Sequence, residues 1–344
     1  MKRWIVNIVK LVVPLALIGW LLVKTCRSDS DAFEQLAQSE KHYGIIAGSL
    51  ALLVMANVVA FCRWYVLIRA LQLPTTLWDV LRLGFLGFLL NFVGPGQVGG
   101  DFFKAILIAR EQKERRMEAV ATVLIDRVCG LYGLLLVAST ALLFSGLYKA
   151  NQTMAVVGSA TFACTIIATV GLFALMIPRI TNSPFFRWCE RLPMIGNMVE
   201  RLFFALKLYQ RQRWELAKVA AMSVSVHLMI ATGIYFSAAG LFQDIPSLVD
   251  HWVVSPIAGV AGALPLTPAG LGTYEAAMVY LYNVVEAGKY LDRGVVVALV
   301  FRLSTIATAA VGLVFYFRKK QELQELVDTG GQESQSAEPL GISR

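Results

Sequence analysis

Charge is scarce in this sequence. Only 16% of its 344 residues are Asp, Glu, Lys or Arg, against 57% hydrophobic ones. That balance excludes a water-soluble fold of ordinary size and points to a polytopic membrane protein. Cysteine is sparse as well: Cys26, Cys62, Cys129, Cys164 and Cys189 are isolated and odd in number. They make neither a disulfide framework nor a zinc spacing and read as small packing residues. No Gly-Lys-Ser/Thr follows the glycine-rich stretch at 94–100, so a P-loop is excluded there. No metal-ligand cluster, His/Asp or Cys/His constellation, or Asp-rich motif stands out, and no cofactor is expected. The run Trp4 to Val23 is too long for a signal-peptide core and no small-residue cleavage site follows it. Lys24 stands where a lipobox ahead of Cys26 needs a small residue, so the run is read as an uncleaved first span.

What the chain has instead is a series of apolar runs near the ~20 residues a bilayer span needs. They fall at about 4–24, 44–68, 119–147, 154–177, 219–242 and 294–317. The net charge of +8 is distributed unevenly. Basic residues gather at Arg63 and Arg69, at Arg110 to Arg116, and at Arg318 to Lys320, while 25–43 and QDIPSLVDHW carry the acids. The positive-inside rule then places both termini in the cytoplasm. Between Arg179 and Lys218, eight Lys/Arg face three Glu, interleaved with Phe185, Phe186, Trp188, Phe203 and Phe204. That is the pattern of helices lying on anionic headgroups rather than on nucleic acid. From Gln321 onward the chain is polar and reads as a disordered tail.

One short stretch occurs twice. NFVGPGQVGGD (91–101) and LTPAGLGTYE (266–275) each set a proline and glycines in an apolar surround and end on a carboxylate at the start of a helix-like run. The apolar runs flanking each are too short to cross, at 77–93 with 102–109 and at 252–264 with 274–285. Each pair is read as a re-entrant hairpin, which is tolerated at membrane depth only inside protein or beside a wet cavity. The expected fold is therefore all-α, with about six spans plus two hairpins. Each half is span, span, hairpin, span; three crossings invert the second half (about 151–320) relative to the first (about 1–150).

Four elements in order, P-G-x-x-G-G-D-x-x-K (95–104), VLIDRVCGLYGLL, PLTPAGLGTYEAA and VFRLSTIATAAVGL, resemble the flippase-like domain family, the lysylphosphatidylglycerol synthase transmembrane region. The resemblance covers nearly the whole chain to about residue 320. It implies an inner-membrane protein that moves an aminoacylated phospholipid between leaflets, or one linked to polyprenyl-phosphate sugar assembly. Asp101 and Lys104 stand where the family suggests Glu and Arg, which keeps the charge signs but removes a bidentate fork. The 344 residues leave no room for an aminoacyl-transferase domain, so this chain is expected to be a translocase and not a synthase.

Helix N-termini after the glycine turns suit an anion such as a lipid phosphate, with Gly96, Gly99, Gly100, Gly270 and Gly272 letting a headgroup approach the backbone. Two readings stand for Asp101 and Glu275: helix-start carboxylates that offset the macrodipole, or groups that receive a cationic headgroup or a proton. Arg127 and Arg302, at matching distances after them, read either as structural ion-pair partners or as phosphate ligands. Lys104 either pairs with Asp101 or snorkels to the interface, and snorkelling is favoured. Asp126 points roughly 100° away from Arg127 around a helix and is expected to face another helix. His227 reads as a hydrogen-bonded packing residue. The lipid could be a phospholipid or a polyprenyl phosphate. Competing with translocation are a membrane-embedded transferase using Asp101 or Glu275 as base, and an anchor that holds a synthase through 179–218.

Overall fold

The computed structural model describes residues 40–92, 99–177, 204–264, 267, 269–285 and 293–318. The expected first span, most of the basic segment (through 203), the tip of the first hairpin with Gly96, and the tail lie outside the described residues. Within them the chain forms nine α-helices with both ends described, a helical stretch at 204–209, and no strand. These are α1 (Tyr43–Ala70), α2 (Leu77–Leu90), α3 (Gly99–Glu111), α4 (Arg116–Ser145), α5 (Gln152–Leu175), α6 (Arg213–Leu241), α7 (Leu248–Ala263), α8 (Thr273–Val284) and α9 (Arg293–Arg318).

Five of them, α1, α4, α5, α6 and α9, are long and apolar enough to cross a membrane. They coincide with the five expected spans that fall within the described residues. One boundary moves: α6 begins at Arg213, inside the stretch read as a surface segment, because nothing between Arg213 and Val219 breaks the helix. The other four helices are short. At 12 to 16 residues each rises about 18–24 Å, less than the ~30 Å hydrocarbon core.

The two short pairs start alike. Thr76 caps α2 and Ser247 caps α7, each accepting the N–H of an Asp three residues on (Asp79, Asp250), which returns a bond to the cap's own N–H. Such a capping box satisfies two orphan donors where a helix enters an apolar medium. Each pair also folds back on itself. Arg82 in α2 reaches Glu111 at the end of α3 at 2.9 Å, and Arg293 after α8 donates to the carbonyl of Asp244 ahead of α7.

Small residues bring the long helices together. Ser49 of α1 donates to the Gly233 carbonyl of α6 at 2.7 Å and meets Ser237 Oγ at 2.6 Å. A Cβ at Gly233 or Gly133 would overlap Leu53 or Ser223. Close approach through Gly and Ser is how helices gain contact in lipid, where apolar side chains alone provide no drive. Packing then exchanges between halves: α2 lies against α9, and α7 lies against α4. On the outer face, Ile166, Ile167, Val170 and Phe173 of α5 are exposed, as expected for a surface that meets acyl chains.

Helix ends gather into two sets. His42 N–H reaches the Gly240 carbonyl and Asn151 reaches the Val284 carbonyl, joining the starts of α1 and α5 to the ends of α6 and α8. At the opposite ends, Gln112 bonds Pro74 O, Tyr209 bonds Leu67 O, and Trp78 meets Phe315 edge-on.

Candidate functional site

The second hairpin turn contains Ala269 at φ +51, Gly270 at φ +66 and Gly272 at φ +81. Left-handed backbone of this kind is natural to glycine, and a Cβ at Gly270 would also overlap the Gly262 carbonyl. Glu275, in the first turn of α8, accepts the Gly272 N–H at Oε2 (2.7 Å) and Arg302 Nε of α9 at Oε1 (2.6 Å). Arg302 also donates to the carbonyls of Ala269 (3.2 Å) and Gly270 (3.3 Å). The pair is almost dry, with side chains 9% and 3% exposed. One arginine thus fastens the turn, the start of α8 and α9 together.

In the first half the same chemistry is looser. Gly100 N–H donates to Asn91 Oδ1 at 2.7 Å, and a Cβ there would overlap the Gly87 carbonyl, so the glycine serves the α2–α3 crossing. Asp101 accepts Lys104 Nζ at Oδ1 (3.1 Å), while Arg127 Nη1 stands 3.5 Å from Oδ2. That second oxygen is buried and accepts no hydrogen bond. Lys104 does not snorkel: its ammonium lies 5.7 Å from the ring centres of both Phe61 and Trp64. An ammonium held by a carboxylate and two aromatic faces has little reason to seek the interface. Lys104, Asp101 and Arg127 are 14%, 18% and 29% exposed, each more than either member of the second-half pair.

A third pair joins them. Arg63 of α1 donates from Nε to Asp126 of α4 at 2.8 Å and from Nη1 to Ser223 of α6 at 3.0 Å. Beside it, His227 shares a hydrogen bond with the Gly130 carbonyl at 2.9 Å, the packing role read for it from the sequence.

All three groups border one cavity of about 260 Å³. Arg63, Asp101, Lys104, Asp126 and Arg127 line it from the first half, and Ala269, Tyr274 and Arg302 from the second. Pockets for drug-sized ligands start at roughly 300 Å³, so this one is of the size of a small polar headgroup.

A model of the lysylphosphatidylglycerol synthase TM region matches residues 7–312. The chain belongs to that family. No curated protein and no solved structure matches it. Every lining residue falls inside the matched stretch, and the apolar helices together with the family make this a multi-pass membrane protein.

In this lysylphosphatidylglycerol synthase TM-region protein, the residues singled out from the sequence are mostly brought together. Asp101 lies near Arg127 and Glu275 binds Arg302, the arrangement of the ion-pair reading, one of the two open for these residues. Asp126 faces another helix, as expected. Gly100 and Gly270 are used for close backbone packing, and Gly99 is buried at the start of α3. The sequence marks Arg63 only as a positive charge ending a span; in the structure it is a buried partner of Asp126, while Arg69 is exposed. The rule that flagged Arg127 and Arg302, an ionisable group among apolar neighbours, applies equally to Arg63 in AFCRWYVLI.

Proposed function

We propose that this protein is a lipid translocase that moves an anionic or aminoacylated phospholipid, or a polyprenyl-phosphate lipid, between leaflets without ATP. The carrying observation is a cavity between the two sequence halves, lined by Asp101 and Arg127 from the first and by Arg302, the partner of Glu275, from the second. The lipid's polar head enters the cavity and its tails stay in the bilayer. Intramembrane ionisable groups facing a cavity are costly and tend to mark pathways.

Two inverted repeats with re-entrant hairpins supply the means. The reciprocal packing of α2 on α9 and α7 on α4, the paired capping boxes, and the two sets of helix ends support this arrangement. In it, α2–α3 enters from the cytoplasmic side and α7–α8 from the other, and rocking of one half on the other exposes the cavity alternately. The chain resides in the inner membrane with both termini in the cytoplasm, and 179–218 rests on anionic headgroups or docks a synthase. The test is reconstitution into liposomes with leaflet exchange of labelled lipids: exchange above protein-free vesicles supports the proposal, and none across several lipid classes with a folded protein rejects it.

A further inference from the structure

The charges around the cavity do not balance. Arg63 is matched by Asp126 and Arg302 by Glu275, each at hydrogen-bond distance. Asp101 alone faces two cations, Lys104 at 3.1 Å and Arg127 at 3.5 Å. Counting Glu275 behind Arg302, the four cations that line the cavity face three carboxylates among the described residues, so one positive charge lacks a counter-charge. An unmatched charge away from bulk water is costly, and the cheapest relief is a ligand of charge −1.

The three groups also differ in freedom. Arg302 is bound at all three of its nitrogens, by Glu275 and two turn carbonyls. Arg63 is bound at two nitrogens and buried. Arg127 makes no hydrogen bond to Asp101 at 3.5 Å, is the most exposed of the three arginines, and borders the cavity. Its guanidinium is a planar fork free to take two oxygens of one phosphate, with the Lys104 ammonium beside the same carboxylate.

Resting on the translocase reading, we infer that the two halves are not equivalent: Glu275–Arg302 is a structural latch, and Lys104 with Arg127 forms the subsite for a singly charged phosphodiester headgroup. Asp101 is the internal counter-ion that holds both cations while the subsite is empty. It competes with the phosphate instead of recruiting a cationic head.

The test uses the full chain in a non-ionic detergent, with calorimetric titration of short-chain phosphatidylglycerol as a soluble phosphodiester. Lys104→Met leaves the Asp101–Arg127 pair neutral and should weaken binding by about tenfold or more, the worth of one charged hydrogen bond. Asp101→Asn removes the competitor and should tighten it. Arg127→Gln should weaken binding, with Arg127→Lys restoring part of it. Weaker binding by a folded Asp101→Asn protein, or unchanged binding by Lys104→Met, overturns the assignment. So does equal competition by inorganic phosphate, which would make the ligand free phosphate instead of a headgroup. Leaflet exchange measured on the same variants separates the two claims. Binding with these signatures but no exchange removes the transport function and keeps the subsite; exchange undiminished in Lys104→Met does the reverse.

Discussion

Arg302 holds Glu275 at 2.6 Å through Nε, whereas the corresponding Arg127 stands 3.5 Å from Asp101. A carboxylate and an arginine at nearly the same spacing give a closed clamp in one half and an open one in the other. Glu275 is one methylene longer than Asp101, and Ala269 and Gly270 aim two carbonyls at the Arg302 guanidinium, which is thereby bound at all three nitrogens.

Breaking that clamp should cost stability first. Removing one partner of a buried ion pair leaves an uncompensated charge and typically costs about 3–5 kcal/mol. Glu275→Ala and Arg302→Ala should each lower the thermal unfolding midpoint in detergent by many degrees, and the Glu275→Gln/Arg302→Gln double variant by less than the two single effects combined. A midpoint unchanged in Arg302→Ala would show that the pair does not hold the hairpin.

The Arg63–Asp126 pair makes a second, independent prediction. Arg63 spans Asp126 and Ser223 with two different nitrogens, a geometry that a single ammonium does not reproduce. Arg63→Lys should therefore be destabilised by a few kcal/mol, close to Asp126→Asn, while Ser223→Ala loses only about 1 kcal/mol. Thermal unfolding followed by size-exclusion fluorescence gives the order, and a wild-type midpoint for Arg63→Lys would contradict it.

Glycine positions separate into two classes. A methyl at Gly100 or Gly270 would overlap a backbone carbonyl of the facing helix, at Gly87 and Gly262, and Gly270 also sits at φ +66. Backbone cannot step aside as a side chain can. Alanine at either position should open its hairpin and raise protease sensitivity, whereas Gly48→Ala and Gly171→Ala, which meet nothing within 4 Å, should not. In mid-helix those two changes should stabilise slightly, by up to about 1 kcal/mol.

Much of this arrangement was legible in the sequence. Apolar length located all five long helices, because span length is fixed by bilayer thickness. The duplicated Pro/Gly turn with its carboxylate and arginine pointed to both pairs, because a carboxylate and an arginine recur at nearly the same spacing. Other features were not legible. Lys104 was misjudged because snorkelling is a default for a lone lysine, and the default fails when Phe61 and Trp64, 40 or more positions earlier, close over it. Arg63 was missed because its partners Asp126 and Ser223 come from two other helices, which hydropathy does not bring together. The Gly100 and Gly270 contacts depend on helix crossings, and a glycine that admits a headgroup looks the same in sequence as one that admits a carbonyl.

Hairpin orientation carries a prediction about sidedness. In a background lacking cysteine, single cysteines at Leu77 and Lys113 should both react with an impermeant thiol reagent from the cytoplasmic side. Cysteines at Ser247 and Tyr148 should react from the opposite side. Labelling of 113 and 77 from different sides would mean that the first hairpin crosses an odd number of times and that the halves are not inverted.

The central claim is that the cavity between the halves carries the lipid head. Gly259 of α7 lines it and has only Leu134 Cδ1, 3.4 Å away, near the position of a Cβ. A tryptophan there would take up much of the space while leaving every charged side chain of the lining in the sequence. The decisive measurement is leaflet exchange of labelled phospholipid in liposomes holding wild type or Gly259→Trp, with both shown to be folded by matching elution and unfolding midpoints. The account predicts exchange by wild type and exchange at the protein-free rate for Gly259→Trp. Wild-type exchange that Gly259→Trp retains in full would place the lipid's path outside this cavity and contradict the account.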